Sequence, residues 1–251
     1  MARQKGFIKL TGKIGHVSFY KNKDGYFAKE TGGVSKERIL TDSNYELTRQ
    51  NNEEFGSASN MVGMLKGAIW LALKRTTPTK LHGRLVKVAN SILRSDPKNA
   101  RGERRIEEGD WNMLHGFDLN ENAKFSNVVK SKYQLERKED LWELHFEDLH
   151  IGRDIRVPKA ATHVRLYFIT GAFGPGEKLF PYGFHLTETD PLPIESGPKE
   201  ITMTAPHPVG NYDYHVVTLG MEFLILSGSH IMDVGRLKLN PCRIVKAGAK
   251  P

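Results

Sequence analysis

Residue types able to do chemistry are thinly spread in this chain, and their spacing decides most cases. His145, Glu147 and His150 are the tightest grouping of imidazoles with a carboxylate, a set that could hold a divalent metal. Alternation along an extended strand puts positions 145 and 147 on one face and 150 on the other, so the three do not converge without a bulge. Residues 171–178, GAFGPGEK, have the glycines of a phosphate loop. Such a loop ends Gly-Lys-Ser/Thr, so that the lysine reaches the phosphates and the hydroxyl holds magnesium. Here Glu177 follows Gly176, Lys178 is displaced by one, and strand-like sequence flanks both sides, so the segment reads as a β-turn. Cys242, the only cysteine, stands in LNPCRIV without a neighbouring base and reads as a buried structural thiol. A single cysteine excludes an intrachain disulfide and a multi-cysteine cluster. The carboxylates of RGERRIEEGD and RKEDLWELHFEDLH are interleaved with Arg and Lys, as solvated ion pairs are. No catalytic residue, metal ligand or cofactor site emerges, and a non-enzymatic protein is expected.

The chemistry that remains is recognition. GHVSFYKNKDGYFAKETGG, residues 15–33, sets Phe19, Tyr20, Tyr26 and Phe27 among Lys21, Lys23 and Lys29 around Asp24-Gly25. Asp-Gly suits the positive-φ positions of a two-residue hairpin loop. With those two residues as the loop, Lys23 pairs with Tyr26, Asn22 with Phe27, Lys21 with Ala28, Tyr20 with Lys29 and Phe19 with Glu30. One face then carries Val17, Phe19, Lys21, Lys23, Tyr26 and Ala28, and the other Ser18, Tyr20, Asn22, Phe27 and Lys29. Aromatics on both faces imply a hairpin that meets two surfaces. The leading expectation is an assembly contact at Phe19, Tyr20, Tyr26 and Phe27 with the three lysines as its electrostatic rim. The alternative is nucleic acid, with bases stacked on the rings and with Arg84, Lys87, Arg101, Arg104 and Arg105 adding phosphate contacts. A carbohydrate platform on Trp142, Tyr167, Tyr182 and Phe184 is a third class, opposed by the tendency of in-strand aromatics to be core.

Around that hairpin, short glycine-punctuated strands occupy residues 7–31. From residue 43 the apolar spacing turns helical: Phe55, Ala58, Val62, Leu65, Ile69 and Ala72 recur at three and four, widened by Met61, Trp70 and Leu73. One long helix is expected to end near Arg75. Gly56, Gly63 and Gly67 inside it each cost about 1 kcal/mol against alanine, which close approach by a neighbour would explain. A second helix, opened by Pro78 or Thr79, carries Leu81, Leu85, Val88, Ile92 and Leu93 and stops at Asp96-Pro97. From about residue 119 the period becomes two, and six or seven strands follow with Gly/Pro-rich turns and no helical pattern between them, as in a β-sandwich or jelly roll.

The expected fold is therefore α+β, with a basic hairpin-and-helix region over 1–118 and an all-β sandwich-like domain over 119–251. Net charge is +8 over 251 residues, and all of the excess lies in 1–118, which holds 21 Lys and Arg against 13 Asp and Glu. That asymmetry fits a polyanion-facing or self-associating front half beside a neutral one. No run approaches the roughly 18–20 apolar residues of a membrane span, and the N-terminus lacks a signal-peptide apolar segment. The expectation is a chain made in the cytoplasm, not inserted in a membrane, and either part of an assembled particle or released.

KGFIKLTGKIGHVSFYKNKDGYFAKETGGVSKERI followed by TRQNNEEFGSASNMVGMLKGA resembles the start of a group of uncharacterised, cytosolic-looking proteins encoded in Bacteroidota genomes. Those proteins open with a glycine-spaced basic hairpin, continue through an Arg-x-x-x-x-x-Phe helix start and finish in a β-rich half. The likeness is clearest over residues 5–70. It implies a fold plan and a bacterial or bacteriophage-related context, and it carries over no activity and no site residue. The function expected from these readings is a non-enzymatic structural protein that self-associates into an oligomer, filament or virion-like assembly.

Overall fold

Glycine punctuation and β-branched or aromatic alternation make the first residues strands. In the computed structural model, which describes residues 1–175, 181–228 and 230–249, these are β1 (Ala2–Arg3), β2 (Gly12–Ile14), β3 (Val17–Asn22) and β4 (Gly25–Glu30). They form a four-stranded antiparallel sheet in the order β1-β4-β3-β2. The hairpin is thus the centre of a sheet whose outer strands are only two and three residues long. Helix α1 (Lys36–Thr41) follows, its first turn capped by the Ser35 hydroxyl, which accepts from Arg38 N at 3.2 Å. Asp42 caps the next turn, at Ser43–Tyr45, by accepting from Asn44 N.

The described chain divides into two compact units, Met1–Asn51 and Asn52–Pro251. The division expected at 118/119 does not coincide with them. The helices expected in the front region share a core with the sheets of the back one. Helix α2 spans Glu46–Ala68, Ile69 leaves helical geometry at φ −111°, ψ 17°, and α3 (Trp70–Arg75) resumes, so the single expected helix is two. Helix α4 (Leu81–Arg94) begins after Lys80, which sits at φ 46°, three residues later than Pro78.

Short helix α5 (Phe125–Val128) precedes β5 (Gln134–Lys138) and β6 (Leu141–Leu149), and α6 (Ile151–Asp154) precedes β7 (His163–Phe173). Then come β8 (Tyr182–Glu188), β9 (Leu192–Pro193), β10 (Lys199–Pro206), β11 (Tyr214–Ser227), β12 (His230–Asp233) and β13 (Cys242–Ala249). One antiparallel sheet has the order β10-β6-β5. The other has β12-β11-β7-β8, with β13 also on β11 and β9 also on β7. The fold is α+β, and its β-rich part is curled into a half-barrel.

Two cores explain the layering. Leu144 and Phe146 of β6 and Met203 of β10 pack against Leu166, Phe168, Leu219, Met221 and Phe223 from one face of β7 and β11. Val62, Leu65, Leu85 and Ile92 of the helices pack against Tyr167, Ile169, Tyr214 and Val216 from the other face. The six-stranded sheet is therefore the middle layer, and Leu166–Phe173 of β7 are buried without alternation because both faces are covered. At roughly 25 cal/mol per Å2 of apolar area removed from water, both faces contribute to holding β7 and β11 in place. Gly171 lets α2 approach: a Cβ there would lie 2.9 Å from the Ala68 carbonyl oxygen. Asn240, wholly buried, joins α3 to β11, donating to Arg75 O and to Asp233 and accepting from Phe223 N.

Candidate interaction surface

The register of the central hairpin sets the surface. Asn22 pairs with Gly25, Lys21 with Tyr26, Tyr20 with Phe27, Phe19 with Ala28, Ser18 with Lys29 and Val17 with Glu30. The loop is therefore Lys23-Asp24, one residue earlier than expected, and each residue's partner is shifted by two. Asn22 closes the turn, its side-chain oxygen accepting from Asp24 N at 2.9 Å. Gly25 supplies its positive φ, 121°, after the turn and not within it. A slip of two conserves the side of every residue, so aromatics do lie on both faces, with different partners from those expected.

Edge strands complete the two faces. Arg3 stands opposite Phe27 and Ala2 opposite Ala28; Gly12 stands opposite Phe19, Lys13 opposite Ser18 and Ile14 opposite Val17. One face thus presents Ala2, Ile14, Val17, Phe19, Tyr26 and Ala28, with Lys21 near the turn and Glu30 at the far end. Lys21 Nζ lies 5.3 Å from the Tyr26 ring centre, a cation–π distance. The opposite face presents Tyr20 and Phe27 as a stacked pair, centroids 6.0 Å apart and planes at 25°. Arg3, Lys13 and Lys29 surround that pair. Lys29 Nζ lies 6.0 Å from the Tyr20 ring, Arg3 donates to Asp24 O at 3.0 Å, and the Tyr20 hydroxyl donates to Met1 Sδ.

No side chain of residues 1–51 is buried. Phe19, Tyr20, Tyr26 and Phe27 are half-buried, Lys21, Lys23 and Lys29 are exposed, and Ile14 keeps 64% of its surface. Residues 1–51 hold 10 Lys and Arg against 5 Asp and Glu. Among the described residues, none of the sheet's cations lies within 4 Å of a carboxylate; Arg38 and Asp42 make the one ion pair of this unit.

The other expected contacts lie in the second unit, among partners of their own. Arg84 donates to Asp118 O at 2.5 Å and pairs with Glu121 at 3.1 Å. Arg104 is 3.7 Å from buried Glu54, which also accepts from Gly102 N. Arg104 and Arg105 line a cleft of about 960 Å3 whose Tyr214 hydroxyl donates to Glu107. Lys87 lines a small groove with Met113 and Phe117, and Arg101 is exposed. Arg84 and Arg104 thus tie together segments of the second unit that are distant in sequence, while Lys87, Arg101 and Arg105 are exposed.

Of the four rings of the carbohydrate platform Trp142 and Tyr167 are buried, Phe184 is partly buried and Tyr182 is exposed. Tyr182 packs over Gly67 and Phe184 edges onto Trp70. Gly56 and Gly63, by contrast, have nothing within 4 Å of a Cβ position among the described residues, where the expected close neighbour is found at Gly67. Phe55 and Trp70, counted in the apolar stripe, are 56% and 41% exposed. His145 Nδ1 is 2.9 Å from the Thr202 hydroxyl oxygen. Cys242 is fully buried, and burial pushes its thiol up to about 12. Of the segment 171–178, residues to Phe173 are strand and 176–178 lie outside the described residues.

Among the described residues no helix is long and apolar enough to cross a membrane. Comparison with family models, curated proteins and solved structures finds no match to this chain.

Proposed function

We propose that the chain is a non-enzymatic structural protein that self-associates through the apolar face of its first sheet. The observation that carries this reading is a regular four-stranded sheet in a unit without a single buried side chain. Antiparallel sheets tolerate water on one face, and small ones need a covered apolar face to be stable. Ile14, Val17, Phe19, Tyr26 and Ala28 offer such a face. A second copy fits it because stacking two identical faces about a two-fold axis that runs across the strands sets Lys21 of one copy opposite Glu30 of the other. Of the four aromatics expected at the contact, Phe19 and Tyr26 carry it in this reading, and Tyr20 and Phe27 face the other way.

Light scattering after size-exclusion chromatography tests it. The full chain should elute as an oligomer, and Phe19→Glu should reduce it to monomer. Lys21→Glu and Glu30→Lys should each weaken the assembly and together restore it, which only a contact between copies would do. A wild-type monomer at about 100 µM, well above the Kd of a stable interface, refutes the proposal.

A further inference from the structure

We propose that the opposite face of the first sheet binds single-stranded nucleic acid, with Tyr20 and Phe27 as the stacking platform and Arg3, Lys13 and Lys29 as the phosphate contacts. The inference concerns a different face from the assembly contact and stands or falls independently of it.

Three features of the face agree on this occupant. Tyr20 and Phe27 are directly opposite on the two central strands, with ring planes 25° apart and centroids 6.0 Å apart, so two partly exposed aromatic rings stand together on one face, where bases can stack against them. Arg3 flanks it from β1 beside Phe27, and Lys13 and Lys29 flank it on either side of Ser18. These cations have no carboxylate within ion-pair reach among the described residues, and no acidic residue shares the strand positions of this face. Over residues 1–29, seven Lys and Arg stand against Asp24 alone. Gly25 helps to aim one cation: a Cβ there would lie 3.4 Å from an Arg3 guanidinium nitrogen, so the bare backbone leaves room for Arg3 to lie along the face.

The aromatic pair decides among polyanions. A duplex hides its base faces within the stack, whereas an unpaired strand can splay them onto rings. An anionic lipid surface would use the cations and leave the stacked pair without a role. The arginines at 84, 101, 104 and 105 are not needed, which separates this reading from a diffuse attraction of the whole basic half.

The test is fluorescence anisotropy of the full chain with a labelled mixed-sequence strand of about 12 nucleotides, within the usual span for such platforms. The matching duplex and phosphatidylserine-containing vesicles are the competitors. Three phosphate contacts predict a log–log salt slope near −2, hence about a twenty-fold loss of affinity between about 50 and about 200 mM salt. Tyr20→Leu and Phe27→Leu keep apolar bulk and remove the π face; each should weaken binding about ten-fold. Lys159→Gln, an exposed cation of the second unit, should change Kd less than about two-fold. If a leucine variant loses the sheet by circular dichroism, Lys13→Gln with Lys29→Gln supplies the test, the slope falling by about 1.4. No binding at about 50 mM salt, leucine variants that fold and bind like wild type, a charge variant with an unchanged slope, equal affinity for duplex, or capture of vesicles in place of the strand would each overturn the proposal.

Discussion

Gly56 and Gly63 lie seven residues apart on one side of α2, and among the described residues nothing approaches within 4 Å of where their Cβ atoms would be. A helical glycine costs about 1 kcal/mol against alanine because it loses more backbone entropy on folding. Replacing both with alanine should therefore stabilise the protein by about 2 kcal/mol, the two sites lying far enough apart to add. For a unit of about 200 residues this corresponds to a rise in melting temperature of roughly 4–8 °C. Gly171→Ala supplies the contrast. Its methyl would meet the Ala68 carbonyl oxygen at 2.9 Å and Val216 Cγ1 at 2.9 Å, in a fully packed layer where neither can retreat. Overpacking of that kind costs about 1–3 kcal/mol. Urea titrations followed by circular dichroism, at concentrations low enough to keep the chain monomeric, read both. A midpoint lowered by Gly56→Ala with Gly63→Ala would refute the reasoning, since it would mean that a neighbour occupies that side of the helix.

Burial, with His207 and Arg137 nearby, lowers His215 to about 4, below the unfolded value of about 6.5. The unfolded chain then binds the extra proton, so stability should be complete above pH 6.5 and fall by up to about 1.4 kcal/mol per pH unit towards pH 4. His215→Phe should flatten that slope in urea midpoints taken across the range, and an unchanged slope would refute the assignment. Arg84→Met removes the bond to Asp118 O and the pair with Glu121; it should lower stability by about 1–3 kcal/mol and leave oligonucleotide anisotropy unaltered. Cys242 should resist a thiol-specific disulfide reagent in the native protein and react at once in denaturant; rapid native labelling would contradict its burial.

Much of this architecture is legible in the sequence where the signal is local. The spacing of Val62, Leu65, Ile69 and Ala72 and of Leu85, Ile92 and Leu93 marks the helices, and HVRLYFITGAF and YHVVTLGMEFLILSG mark the long strands. Which face of those strands the helices cover is a tertiary fact, so helices and sheets read as neighbours in sequence share one core in space. The hairpin was legible in existence and in sidedness, but its pairing was off by two because Asp24-Gly25 reads as the loop while Asn22 closes it one position earlier. Arg3 and Lys13 escaped notice for a related reason. They reach the face from strands of two and three residues, too short to register as strands, through pairing that no local pattern announces. The carbonyl and carboxylate partners of Arg84 and Arg104 lie far away in sequence, so no local pattern announces them.

β7 and β11 lie between two apolar cores, and this changes how their alignment is encoded. A strand with one wet side is held in register by polarity, since a slip of one residue would turn its apolar set outward. Between two dry layers polarity says little, because either side accepts Leu, Ile or Val. What distinguishes the true alignment is size. Gly220 sits opposite Tyr167 and makes room for its ring, and Gly171 sits opposite Val216 and makes room for α2. A slip by one would drive Leu219 or Met221 into the space of the tyrosine ring. The central pair is thus keyed like a lock by two missing side chains, and mutational tolerance along it should follow volume more closely than hydrophobicity.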